Sequence, residues 1–69
     1  MIQGTCTKWM GHYGFIRSDE GADYFAHHTA IRAKQGMFRT LVPGERYQFE
    51  AQDSQRGPLA VGIVHLTVE

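Results

Sequence analysis

Two short stretches concentrate the side chains able to do chemistry: GHYGFI (residues 11–16) and YFAHH (residues 24–28). Tyr13 and Phe15 stand two residues apart, as do Phe25 and His27. On a β-strand, residues at that spacing share a face. A row of rings on one face is either the inside of a core or a platform on which flat ligands such as nucleobases stack. The histidines also invite acid–base or metal chemistry. A metal site needs three or four ligands. His27 and His28 are adjacent, so on a strand they point to opposite faces and do not chelate one ion, and His65 lies on another segment. No metal and no cofactor is expected. Catalysis is not expected either: there is no G-x-S-x-G, no paired-carboxylate cleft and no phosphate loop. The lone thiol, Cys6, is expected to point inward from a strand, where it behaves as a small hydrophobe.

These residues need elements to hold them, and the chain is short. Its 69 residues suit one domain, residues 1–69. A chain of this size buries only about 60% of the surface its unfolded form exposes, so large aromatics outside the core need a reason. No apolar run approaches the roughly 20 residues of a membrane helix, and the N-terminal segment lacks the basic-then-apolar pattern of a signal peptide. One cysteine cannot form an internal disulfide, so a reducing, cytoplasmic setting is the default. Seven Lys and Arg balance seven Asp and Glu, leaving the net charge uninformative. The distribution says more. Asp19, Glu20 and Asp23 cluster, whereas no acid lies between Tyr24 and Gly44, a span that holds Arg32, Lys34 and Arg39. Such a span is either a solvated loop or a positive surface that attracts phosphates.

Gly, Pro, Asp and Ser break the chain into five strand candidates. They run from Ile2 to Met10, Tyr13 to Ser18, Asp23 to His28, Arg46 to Gln52 and Leu59 to Val68. Met10, Gly11 and His12 form the tight first connection. VPGE fits a turn with Pro43 second and Gly44 third. Tyr47, Phe49 and Ala51 are expected on one side of the fourth strand. Thr29 to Leu41 shows no strand pattern beyond a short helical turn near Ala30 to Ala33. The expected architecture is all-β: a five-stranded antiparallel barrel of the OB-fold type, whose strands 2 and 3 carry a binding face for oligonucleotides in known examples.

Alternation leaves two readings of the aromatics. If Ile16, Tyr24 and Ala26 face inward, then Tyr13, Phe15, Phe25 and His27 form an exposed patch, and exposed apolar patches usually mark binding sites. Otherwise Phe15 and Phe25 are the core, with Ile16 and Tyr24 covered by the long loop.

The ordered fragments Lys8-Trp9, YGFI, DYFAHHTAI (residues 23–31), FRTL (residues 38–41), PGERYQFE (residues 43–50) and RGPLA (residues 56–60) together resemble the bacterial cold-shock domain. This small OB-fold binds single-stranded RNA and DNA. Its two nucleic-acid motifs are similar to K-G-F-G-F-I and V-F-V-H-x-S-A-I. The resemblance implies the exposed patch, with Tyr13, Phe15, Phe25 and His27 stacking on bases, His28 and Phe38 adding contacts, and Trp9 standing as the first-strand tryptophan. Lys8, Arg17, Arg39 and Arg56 are then candidates to meet phosphates. His12 stands where the family has a glycine, in a connection shorter than usual, and Tyr24 and Ala26 replace two inward valines. Alternation from an inward Cys6 puts Thr7 and Trp9 outward; in the other register Trp9 is more buried and Lys8 takes the stacking position. The proximity of His12, His27 and His28 implies tighter binding at mildly acidic pH. The implied role is an RNA chaperone or a regulator of transcription or translation, working as a monomer or at most a weak dimer, with no membrane partner. The competing reading is a protein-interaction module that buries the same patch against a partner or a second copy.

Overall fold

The computed structural model describes residues 1–32, 40–55 and 57–66. Five strands form: β1 (Ile2–Trp9), β2 (Tyr13–Ser18), β3 (Asp23–His27), β4 (Arg46–Gln52) and β5 (Leu59–His65). A single 3₁₀ turn, η1 (His28–Ala30), follows β3. The expected helical turn therefore comes earlier than Ala30 to Ala33, and Ala33 lies outside the described residues, as do Thr67 and Val68 of the longer β5 expected from sequence. The strands close into a barrel in the order β1-β2-β3-β5-β4. Four seams are antiparallel. The fifth, β3 against β5, is parallel and short, pairing Phe25 with Leu59 and Ala26 with Ala60. An isolated parallel bridge between Ile31 and Ile63 continues the closure past η1.

Alternation explains the core. On β2, Gly14, Ile16 and Ser18 are buried and Tyr13, Phe15 and Arg17 exposed. On β3, Ala26 is buried, and Tyr24 is half-buried against the core with its ring 5.1 Å from that of Phe49. The large Tyr24 covers Phe49 from the side while the small Ala26 leaves room at the centre. Ile16, Ala26, Cys6, Phe49, Ala60 and Ile63 are at most 1% exposed. Each large member contributes about 1.5–3 kcal/mol by leaving water. Ile31 and Leu41, from the span without a strand pattern, complete this core. Burial pushes the Cys6 thiol up from its ordinary pKa, as expected of an inert inward cysteine.

Turn chemistry sets the corners. The Glu45 N–H donates to Val42 O at 3.1 Å around Pro43-Gly44, and Gly44 has φ +92°, a conformation only glycine adopts without strain. Tyr47 Oη accepts the Val42 N–H at 2.8 Å, tying this turn to β4. Ala51, expected on the same side of the strand as the buried Tyr47 and Phe49, is exposed. A register shift against β5 between Gln48 and Glu50 interrupts the alternation there, and a bulge reorients the residues beyond it. No helix among the described residues is long and apolar enough to cross a membrane.

Candidate nucleic-acid interface

The outer face of β2 and β3 gathers most of the residues singled out from sequence. Tyr13 is paired with His27, and Phe15 with Phe25. Tyr13 and Phe15 are 38% and 36% exposed, which settles the facing question for the outside. Phe25, half-buried, sits between them: its ring centroid is 5.7 Å from Tyr13, nearly parallel, and 5.8 Å from Phe15, edge to face. Each geometry is favourable for aromatic pairs, so the platform is packed before any ligand arrives.

β1 joins this face through an irregularity. Cys6 pairs with Ile16, but Lys8 pairs with Phe15 and Trp9 with Gly14. Thr7 is thus an extra residue, and a one-residue shift moves everything beyond it to the other face. The expectation that Trp9 points outward is corrected: it lies on the side of Gly14 and Ile16, half-buried and packed on the core. Lys8 takes the place beside Phe15 and is exposed. Gly14 has to be glycine here, since a Cβ would run into the Lys8 carbonyl oxygen and come within 2.8 Å of Trp9 Cε3.

The parallel β3–β5 seam adds a residue missed in the sequence. Leu59, paired with Phe25, extends the row to Lys8–Phe15–Phe25–Leu59 across four strands. No local signal identifies it, because its neighbour on β3 is more than thirty positions away in the chain.

His12, His27 and His28 lie near one another, as expected, but the orientation of the adjacent pair differs. His27 and His28 do not point to opposite faces: their ring centroids are 4.5 Å apart. The strand ends at His27, and η1 turns the His28 ring back along it. His12, in the β1–β2 connection, places its ring 5.8 Å from that of His28, and its carbonyl accepts the His28 N–H at 2.9 Å. Among the described residues no group of three potential ligands is arranged to hold a metal ion.

The cations divide. Arg17 is engaged by Asp23, its cross-strand partner, at 2.9 Å. Arg46 grips Asp19 with two nitrogens at 2.6 and 2.8 Å. That hydrogen-bonded contact holds the Asp19 carboxyl below its usual range. Phe38, Arg39 and Arg56 lie outside the described residues.

Residues 2–66 match the sequence profile of the "Cold-shock" DNA-binding domain. The chain belongs to this family. The major cold shock protein of Streptococcus pyogenes serotype M1 is 42% identical over 69 residues, covering 96% of this chain and 98% of the relative. Cold shock protein CspB of Bacillus caldolyticus is 40% identical over 62 residues, covering 86% of this chain and 91% of its own. The cold shock-like protein of Thermotoga maritima is 43% identical over 59 residues, covering 81% and 86%. Among solved structures, the drosophila Unr CSD456 superposes with a TM-score of 0.77 at 24% identity. That match covers 96% of this chain and 26% of the larger one, and it establishes the shared fold. Within the cold-shock domain, the face built by β1, β2 and β3 is therefore the one whose chemistry needs explaining.

Proposed function

We propose that this cold-shock domain binds single-stranded RNA or DNA by stacking bases on Tyr13, Phe15 and Phe25, with His27 beside them, and acts as an RNA chaperone or a regulator of transcription or translation. The observation that carries this reading is the contiguous outer aromatic face on a domain with little core to spare: Tyr13 and Phe15 stay more than a third exposed. The family description and the names of its cold shock relatives support nucleic acid as the ligand.

Every base has a π-face, so such a platform accepts strands with little sequence preference, at about 1–3 kcal/mol per stacked base. Three platforms, less the cost of ordering the strand, put the dissociation constant in the micromolar range or below. Paired bases hide their faces, so duplexes bind weakly. Lys8, exposed beside Phe15, is the cation best placed for a phosphate. By the family resemblance, His28, Phe38, Arg39 and Arg56 add contacts along the same path.

Fluorescence anisotropy of a labelled oligo-dT, with a duplex of equal length as control, tests the proposal. Saturable binding of the single strand alone, lost in Phe15→Ala, is expected. If the parent binds neither nucleic acid, the patch serves a protein partner or a second copy and the proposal fails.

A further inference from the structure

We infer that the hollow between Arg32, Glu50 and Gly62 seats one guanine base, lying flat on the β5 backbone with one edge on the Glu50 carboxylate and another on the Arg32 guanidinium. The hollow shares no residue with the rings of β2 and β3, so this site stands or falls apart from the stacking proposed there.

The register builds the hollow. Gln48 pairs with Val64 and Glu50 with Val61, so two residues of β5, Gly62 and Ile63, oppose Phe49 alone. Gly62 takes φ +59° at this bulge, a left-handed conformation that glycine adopts freely. With no side chain there, the outer surface of the sheet is open down to the backbone. β4 flanks β5 on one side. On the other, the Arg32 N–H donates to Ile63 O at 2.8 Å. The Arg32 side chain runs past Gly62: a Cβ added to that glycine would lie 3.8 Å from Arg32 Nε. Glu50, Gly62 and Arg32 thus cross the barrel wall in sequence and, with Val64, line a hollow of about 200 Å³. Among the described residues neither Glu50 nor Arg32 enters a salt bridge. An anion and a cation face one hollow without closing on each other.

A cavity of about 150 Å³ takes up a benzene-sized ring, so this hollow admits one heteroaromatic base and leaves its sugar outside. The polar groups choose the base. A carboxylate presents a pair of acceptors and a guanidinium a fork of donors. Guanine alone among the common bases offers two adjacent donors, N1–H and N2–H, on one edge and two adjacent acceptors, O6 and N7, on the next. That acceptor pair is the usual base partner of arginine. Adenine and cytosine set a ring-nitrogen lone pair beside their amino group, and uracil and thymine flank their one N–H with carbonyls. Each of these would meet the Glu50 carboxylate with a lone pair. Gly62 lets a flat ring come close to the backbone, and Val64, 41% exposed, loses apolar surface to water when the ring covers it.

Titration of the ¹⁵N-labelled full chain with GMP, against AMP and UMP at equal phosphate, tests the site by ¹H–¹⁵N NMR. GMP at millimolar concentration should shift the amides of Glu50, Gly62 and Val64 saturably, and AMP and UMP should not. Glu50→Gln, at an exposed position, should weaken GMP roughly tenfold or more, as for a lost hydrogen bond to a charged group. Gly62→Asn fills the hollow with a residue that tolerates left-handed backbone and should abolish the shifts, whereas Phe15→Ala should keep them. An oligo-dT with one central dG separates two sources of the base. Gly62 shifts with this strand but not with plain oligo-dT assign a guanine within a strand, and shifts with GMP alone assign a free nucleotide. The proposal is overturned by equal responses to GMP and AMP, which mean a phosphate contact only, by no shift at Gly62, or by unweakened GMP binding in Glu50→Gln. Failure of oligo-dT to bind overturns the stacking reading and leaves this site intact.

Discussion

At the turn end of the β2–β3 hairpin, charge is matched by charge: Arg17 holds Asp23, and Asp19 holds Arg46 of β4. At the open end of the same hairpin the outer face carries Tyr13, Phe15, Phe25 and His27: the rings of Tyr13 and Phe15 pack on Phe25, and His27 meets Thr29 and the ring of His28. One end pairs its ionic groups across strands, and the other leaves a π-surface open on the outer face. A similar division runs through the thickness of the hairpin, where Ile16 and Ala26 are wholly buried behind exposed Tyr13 and Phe15. Arg17, close in sequence to the rings, is thus paired with Asp23, and on the proposed reading binding rests on stacking with few ion contacts.

The sharpest way to break this division is to cut into each side of it. Ile16→Ala, on the inner face, should cost about 2–5 kcal/mol of stability by removing buried methyl groups and leaving a cavity. Urea denaturation measures it, and the fraction still folded should bind oligo-dT as the parent does. Phe15→Ala, on the outer face, should reverse the pattern. It is expected to lose about 1–3 kcal/mol of binding with little change in the urea midpoint; comparable losses in both properties would mean that the two faces are not separable.

Smaller effects test the ends. Lys8→Ala should make the slope of log affinity against log salt shallower by about 0.7, one phosphate contact on a single strand, while Arg17→Ala leaves it nearly unchanged because Asp23 already holds that guanidinium. If the two substitutions act alike, the ionic division is wrong. The smallest effect concerns Asp19. Its carboxyl is held below the unfolded value by the Arg46 hydrogen bonds, so its contribution is fully present above the ordinary carboxylate range and is lost as pH falls through the lowered native value. Asp19→Asn should therefore lower the urea midpoint at pH 7 and bring it level with the parent in strong acid.

Much of this was legible in the chain. Period-two alternation placed β2, β3 and most of β4, because each has one buried and one exposed face, and the Pro43-Gly44 turn announced itself through residues suited to its backbone. The outward positions of Tyr13 and Phe15 followed once Ile16 was taken as inward, a choice that alternation left open and the family resemblance made. What escaped were consequences of contacts between strands. Trp9 was misplaced because alternation counts residues along one strand, whereas the extra residue at Thr7 exists only relative to β2. His28 was misplaced because strand geometry was carried one residue too far, past the start of η1. Leu59 was missed because its place on the face depends on a parallel seam closed across the barrel.

The sequence by itself determined which residues could be core and which could be platform, since side-chain polarity and a two-residue period are local properties. It also determined the family, through motifs whose order and spacing are written in the chain. Only the tertiary structure decided that Lys8 rather than Trp9 stands beside Phe15, that Arg17 is committed to Asp23, and that His27 turns Nδ1 to Thr29. Each of these depends on register or on the end of a strand, and both are set by which backbone amides and carbonyls find one another when the barrel closes.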